Sequence, residues 1–275
     1  MTAPGRVRAC MGTRLTRVTA ASMVGLVLLL GVWEGLSLWL PTTDLASPLA
    51  TVTYLFGNYI YDPATASFGL GGGLADLLYF SVRNVLLGSV GGGVVGLLVG
   101  LVLARHGLMR AAAEPVLITL GTVPILVVMP MFVIWFGVAP YTAAALVGMY
   151  VAIVVAQYSL RAAENISPIY EEAAATFGAG PMTRLRRVLI PAVLPEALGG
   201  FRVAIAFSWG LEVFAETLGS PSGLGQGTAV LAEVSDVQGI LAIVLLVAMA
   251  ALIMDGLLVA SSRFVFRWRE GYAKS

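Results

Sequence analysis

Six mostly apolar stretches, each about 20 to 27 residues long, punctuate the chain and alternate with short polar links. They run over about 18–40, 78–104, 112–136, 141–160, 192–218 and 239–262. Each is long enough to carry a helix across a hydrocarbon core of ~30 Å. The pattern predicts an all-α membrane protein with six transmembrane helices. Two links stand out. The segment 41–77 is the longest and mixes Pro48 with Tyr54, Phe56, Tyr59, Tyr61 and the run Gly71-Gly72-Gly73. It predicts one short interfacial helix over 49–60, followed by flexible chain. The segment 172–191 is a polar, basic island between the fourth and fifth spans, built to meet water rather than lipid.

Charge placement orients the spans. The basic residues Arg6, Arg8, Arg14 and Arg17 precede the first span, and Arg105 and Arg110 follow the second. Arg161, Arg184, Arg186 and Arg187 lie between the fourth and fifth, and Arg263, Arg267, Arg269 and Lys274 close the chain. The alternate links carry Asp44, Asp62, Asp76, Glu233 and Asp236 and no Lys or Arg. The positive-inside rule then predicts both termini on the cytoplasmic side of the membrane. The layout follows: a basic tail over 1–17, a first span over 18–40, an outer loop over 41–77, a five-helix core over 78–264 with a cytoplasmic loop at 161–191, and a tail over 265–275. The first span is expected to be a retained anchor, because its apolar run of about 22 residues exceeds the ~7–15 of a signal core and no A-x-A site follows.

Composition narrows the classes. Of 275 residues, 59% are hydrophobic and 11% charged, against about 25% charged in a soluble domain. The lipid bilayer is therefore the first partner, and no nucleic-acid partner is expected. Cys10 is the single cysteine and can form no internal disulfide. No metal cluster and no cofactor motif is visible, and His106 reads as a solvated loop residue. No G-x-x-x-x-G-K-[ST] loop occurs, so the chain is not expected to hydrolyse nucleotide, nor to be an enzyme of another kind.

Inside the spans, Gly88, Gly92, Gly96 and Gly100 recur every four residues and share one helix face, a packing signal with a smooth path wall as the alternative. Pro124 and Pro130 are expected to bend the third span, either as plain kinks or as the border of a translocation path. Arg202 and Asp255 fall at similar depths near the cytoplasmic side and are expected to pair. Ser208, Glu212 and Glu216 share one face of the fifth span. The two acids are either hydrated at the outer mouth or part of a polar stripe along the path.

The island itself predicts two short helices. Pro168 and the acids Glu171 and Glu172 suit a helix start. Gly178 and Gly180 supply a tight turn. Pro181 opens a second helix over 182–189, which Pro191 ends. Arg184, Arg186 and Arg187 keep one surface in water.

The spacing of Glu172-Ala173-Ala174, Gly178 and Val188-Leu189-Ile190-Pro191 resembles the EAA loop of ABC importer permeases, with Val and Ile standing where Ile and Leu are typical. The likeness extends over roughly 80–270. Ser81-Val82-Arg83, Val123-Pro124 through Pro130 to Trp135-Phe136-Gly137, Pro191-Ala192-Val193-Leu194-Pro195, Gly200-Phe201-Arg202, Ala215-Glu216, Gly223-Leu224-Gly225, Asp255 and Arg267-Trp268-Arg269 are similar to the nitrate, sulfonate and taurine group. Phe201 and Glu212 depart from it, where Leu and an apolar residue are usual. The resemblance implies the type I importer permease fold with a coupling-helix hairpin. It implies a small organic or inorganic anion as cargo, such as a sulfonate or nitrate. It further implies a second permease copy, cytoplasmic ABC ATPase subunits where ATP is hydrolysed, and an extracytoplasmic solute-binding protein. Glu172, Ala173, Ala174, Gly178, Arg184, Arg187 and Pro191 would couple to the ATPase, while Pro124, Pro130, Ser208, Glu212 and Glu216 are the path candidates. An ion-coupled secondary transporter or channel is the alternative, which would use Glu212 and Glu216 as a relay.

Overall fold

The computed structural model describes the backbone of residues 4–265 and the side chains of residues 21–264. The tail carrying Arg267, Arg269 and Lys274, and the side chains of the N-terminal basic residues and Cys10, lie outside the described residues. Among the described residues, five helices are long and apolar enough to cross a bilayer, and a bent pair counted as one span makes six.

The first span belongs to α1 (Pro4–Trp39), which begins within the basic tail. It stands apart from the core and is joined to it at its outer end, where Trp33 Nε1 donates to Ala46 O at 2.9 Å. The outer segment is more ordered than expected. Helix α2 (Pro48–Gly57) is capped by Ser47, and a second helix, α3 (Pro63–Ser67), is capped by Asp62. The chain after α2 is pinned rather than flexible. Tyr54 Oη donates to Asp62 Oδ2 at 3.1 Å, Asp62 N to Gly72 O at 2.7 Å, and Ala75 N to Tyr59 O at 2.8 Å. Burial, with Asp236 and Asp62 nearby, pushes the Tyr54 phenol above its ordinary range, so it stays a neutral donor.

The centre of the molecule is α4 (Leu74–Arg105) laid against α7 (Thr142–Glu164). The glycine face makes this contact. A Cβ at Gly92 would lie 2.2 Å from Gly148 O, one at Gly88 2.5 Å from Ala144 O, and one at Gly96 2.5 Å from Ala152 O. Small residues thus let two backbones touch, the packing use of such spacing in lipid. Helix α10 (Ile190–Gly219) covers the other side of α7, burying Val147, Val151, Ala204 and Leu211. An outer cluster around Leu74, Leu77, Leu224 and Ile243 joins α4 to α11 (Leu224–Glu233) and α12 (Val237–Val265).

Three expectations change. The third span is broken rather than kinked: α5 (Gly107–Thr122) meets the segment Ile125–Phe136 at 92°. Val123 is extended at φ −67°, ψ 128°, as the residue before a proline prefers, and Pro124 has no N–H to continue the ladder. A 3-10 turn (Ile125–Val128) then leads into α6 (Met129–Phe136), where Pro130 sits in the first turn and bends nothing. Pro191 does not end a helix. The short α9 (Pro181–Arg184) passes through a π turn (Leu185–Leu189) directly into α10, and Ile190 N–H bonds Leu185 O. Widening the ladder to i→i+5 makes room for a proline near the start of α10. The ten-residue α11 carried no periodic signal in the sequence, because its two glycines and mixed polarity read as loop.

Candidate functional site

The island forms a hairpin. Helix α8 (Pro168–Thr176) starts at a proline, with Glu171 in its first turn. It closes through Gly178 N–H to Ala175 O at 2.9 Å and Ala179 N–H to Ala174 O at 3.0 Å. Gly178 has φ +78°, which favours glycine. Gly180 is extended at φ −66°, so only one of the two glycines is required by the turn. Glu172, Ala173 and Gly178 are exposed, Ala174 is half-buried, and Arg187 is exposed beyond the turn. Glu171, Glu172 and Arg184 line a groove of about 390 Å³ together with Pro168 and Leu189. Pro191 is half-buried below it. Four apolar side chains on the hairpin, Ile169, Tyr170, Phe177 and Met182, are each more than half exposed, Phe177 at 89%. Exposed apolar side chains outside the spans are a feature that interaction surfaces share. The hairpin is tied to the core: Arg105 Nη1 donates to Pro181 O at 3.4 Å, and Leu189 packs with Leu101, Ala162 and Val193. Nearby, Arg110 pairs with Glu164 at 2.9 Å, joining α5 to α7, a contact the sequence reading missed because residues 54 positions apart share no local pattern.

Within the spans, Pro124 borders a groove of about 300 Å³ at the break of the third span, lined also by Gly121, Thr122, Tyr150, Gln157 and Phe207. Gln157 Nε2 donates to Leu117 O at 2.6 Å, bracing α5 across the groove from α7. Gln157 was missed in sequence, although a lone amide in an apolar span is a signal in its own right. Pro130 is exposed on α6, away from the lining of this groove.

Ser208, Glu212 and Glu216 all lie at 0% exposure on α10. Hydration at an outer mouth is therefore not their state. Ser208 Oγ donates back to Ala204 O at 2.8 Å. Glu216 takes Ser81 Oγ of α4 at 2.7 and 2.9 Å and Gly225 N–H of α11 at 2.9 Å. Its neighbour Gly223 has φ +114°, and a Cβ there would lie 2.2 Å from Glu216 Cδ. The Gly223-Leu224-Gly225 run is thus the backbone cradle of a buried carboxyl group. Arg202 and Asp255 are brought together by α10 and α12 in a two-point contact. Arg202 Nε donates to Asp255 Oδ1, and Nη2 to Oδ2 at 2.7 Å. Among the described residues, no group of three or more His, Cys, Asp or Glu side chains is placed to hold a metal ion.

Residues 92–267 match the family described as the binding-protein-dependent transport system inner membrane component. The chain is 26% identical to the taurine transport system permease protein TauC of Escherichia coli over 188 residues, 68% of each chain. It is 27% identical to the nitrate import permease protein NrtB of Synechococcus elongatus over 208 residues, 74% of this chain and 73% of the relative. In three dimensions it resembles a chain of the MetNI methionine ABC transporter in an inward-facing conformation. The TM-score is 0.63 at 18% identity, covering 70% of this chain and 95% of the other. That likeness shows the fold alone, the all-α fold of an ABC importer permease. The chain belongs to the binding-protein-dependent transport system inner membrane component family and is a multi-pass permease subunit of an ABC importer.

Proposed function

We propose that this permease forms one half of a translocation path, pairs with a second copy of itself, and is driven through the hairpin by cytoplasmic ABC ATPase subunits. An extracytoplasmic solute-binding protein delivers the cargo. Both termini are cytoplasmic in this reading, which the arginine distribution supports. The observation that carries the proposal is the exposed apolar and acidic surface of α8 and its turn, rigidly joined to α10. Glu172, Ala173 and Ala174 present a low surface to a groove in the ATPase, Gly178 sets the turn, and Arg184 and Arg187 flank it. The π turn ending near Pro191 makes α9 and α10 one lever, so movement of the motor passes into the membrane as a rigid-body shift.

Pro124 breaks the third span beside the path and Pro130 opens the helix that follows, and the groove with Gln157 gives that path a polar station. Ser208, Glu212 and Glu216 support the wall from behind, as their burial favours. Arg202 and Asp255 act as a structural pair between α10 and α12. The cargo is a small organic or inorganic anion such as a sulfonate or nitrate, a reading supported by the relatives named for taurine and nitrate transport.

Gly178→Asp tests the coupling. A non-glycine residue at φ +78° strains the turn, at a cost of about 1 kcal/mol or more, and a carboxylate alters the docking surface. No neighbouring atom lies within 4 Å of a Cβ there, so the fold itself has room for the change. The variant is expected to reach the membrane at the normal level and to lose at least about tenfold of ATP-dependent uptake, the factor set by ~1.4 kcal/mol of lost coupling. Normal uptake would contradict the docking role.

A further inference from the structure

Glu212 and Glu216 stand one turn apart on α10, and both are fully buried within a span. Their surroundings differ. Glu216 is surrounded by donors. Leu224 N–H donates to Ser81 Oγ at 2.9 Å, which leaves the Ser81 hydroxyl proton for Glu216, and Gly225 N–H donates to Oε2. A group that receives only donors from fixed neighbours is built to be an acceptor, so Glu216 is the carboxylate.

Glu212 stands one turn from Glu216, and no hydrogen bond from a donor ends on either of its oxygens. Asn84 Nδ2 is equally without a partner, on a side chain only 1% exposed. The two arginines within the apolar stretches of α4 and α10 are otherwise engaged. On α4, Arg83 turns to Asn84 Oδ1 at 3.4 Å and to the Phe80 ring at 5.2 Å. On α10, Arg202 is held by Asp255. The α11 side offers the backbone of Leu224 and Gly225. Two carboxylates one turn apart in a dry interior cannot both be charged. One hydrogen between them satisfies both: an acid O–H on Glu212 donates to Glu216, and the Asn84 amide then has an oxygen of Glu212 to meet.

We propose that Glu212 is a protonated acid whose proton bridges to the Glu216 carboxylate, a buried proton site that locks α10 to α4 and to the start of α11. The proton is retained rather than relayed, because neither group meets solvent. The site does not depend on the docking role of the hairpin.

Infrared spectroscopy of the intact permease with its partner subunits in lipid nanodiscs tests this. A protonated-carboxyl C=O band is expected at neutral pH, since two carboxylates one turn apart in a dry interior cannot both be charged. That band is expected to vanish in Glu212→Gln. The amide N–H of the new side chain replaces the acid O–H, so the melting temperature of this variant is expected to stay within about 2 °C of the parent. Glu216→Gln places an N–H donor among donors and is expected to lower the melting temperature by about 5 °C or more. A wild-type spectrum without the band, or a band unchanged in Glu212→Gln, overturns the proposal. So does a melting temperature raised by sodium chloride over choline chloride in the parent and not in Glu212→Gln, which would assign a metal cation in place of the proton.

Discussion

Arg202 and Asp255 are 53 positions apart and meet by two parallel bonds, the fork geometry that suits a guanidinium and a carboxylate. A charge within a span needs such a partner, since either one alone would face hydrocarbon or an apolar protein wall. Arg202→Asp and Asp255→Arg are each expected to reduce the amount of permease recovered from membranes, and the double reversal is expected to restore it. Quantitative immunoblotting of membrane fractions reads the outcome, and a double reversal no better than either single one would refute the pairing. This contact was legible in the sequence because helix depth follows from residue count at about 1.5 Å per residue. The bonds of Glu216 were not. Ser81 and Gly225 are 135 and 9 positions from it, and nothing periodic links a serine, a glycine and a glutamate.

At the scale of elements, the α4–α7 contact divides neighbouring glycines sharply. Gly92 is pressed onto Gly148, whereas a Cβ at Gly91 would meet nothing within 4 Å. Gly92→Ala is therefore expected to destabilise the permease by about 2–3 kcal/mol, as overpacking against rigid backbone does. Gly91→Ala is expected to change it by no more than about 0.5 kcal/mol. Thermal unfolding in detergent, followed by intrinsic fluorescence, compares the two, and equal shifts would rule out the close approach. Spans and the glycine face were readable because long apolar runs and four-residue spacing are strong signals. The break of the third span was half readable. Pro124 and Pro130 look alike in sequence, and only the turn that follows decides that the first breaks the helix and the second opens one. Pro191 misled for the opposite reason, because a π turn lets the helix run through it.

For the whole molecule, a rigid column runs from the exposed hairpin through the π turn into α10, and from there through Glu216 to α4 and α11. Such a column would let a movement of the hairpin reach the opposite half of the membrane without passing through a flexible loop. The hairpin was the most legible part of this column, since a polar island in an apolar chain is conspicuous. The outer half was the least legible, because α3 and α11 are short and rest on long-range contacts. The central claim is that the hairpin docks on an ATPase. Phe177, 89% exposed at the turn, reports on it most directly. With Cys10, the only cysteine of the chain, replaced by Ser, Phe177→Cys in native membranes is labelled with a short thiol-reactive photo-cross-linker and illuminated. An adduct with the cytoplasmic ATPase subunit is predicted, with its yield lowered by Gly178→Asp. Free labelling of Phe177→Cys without any ATPase adduct would contradict the account.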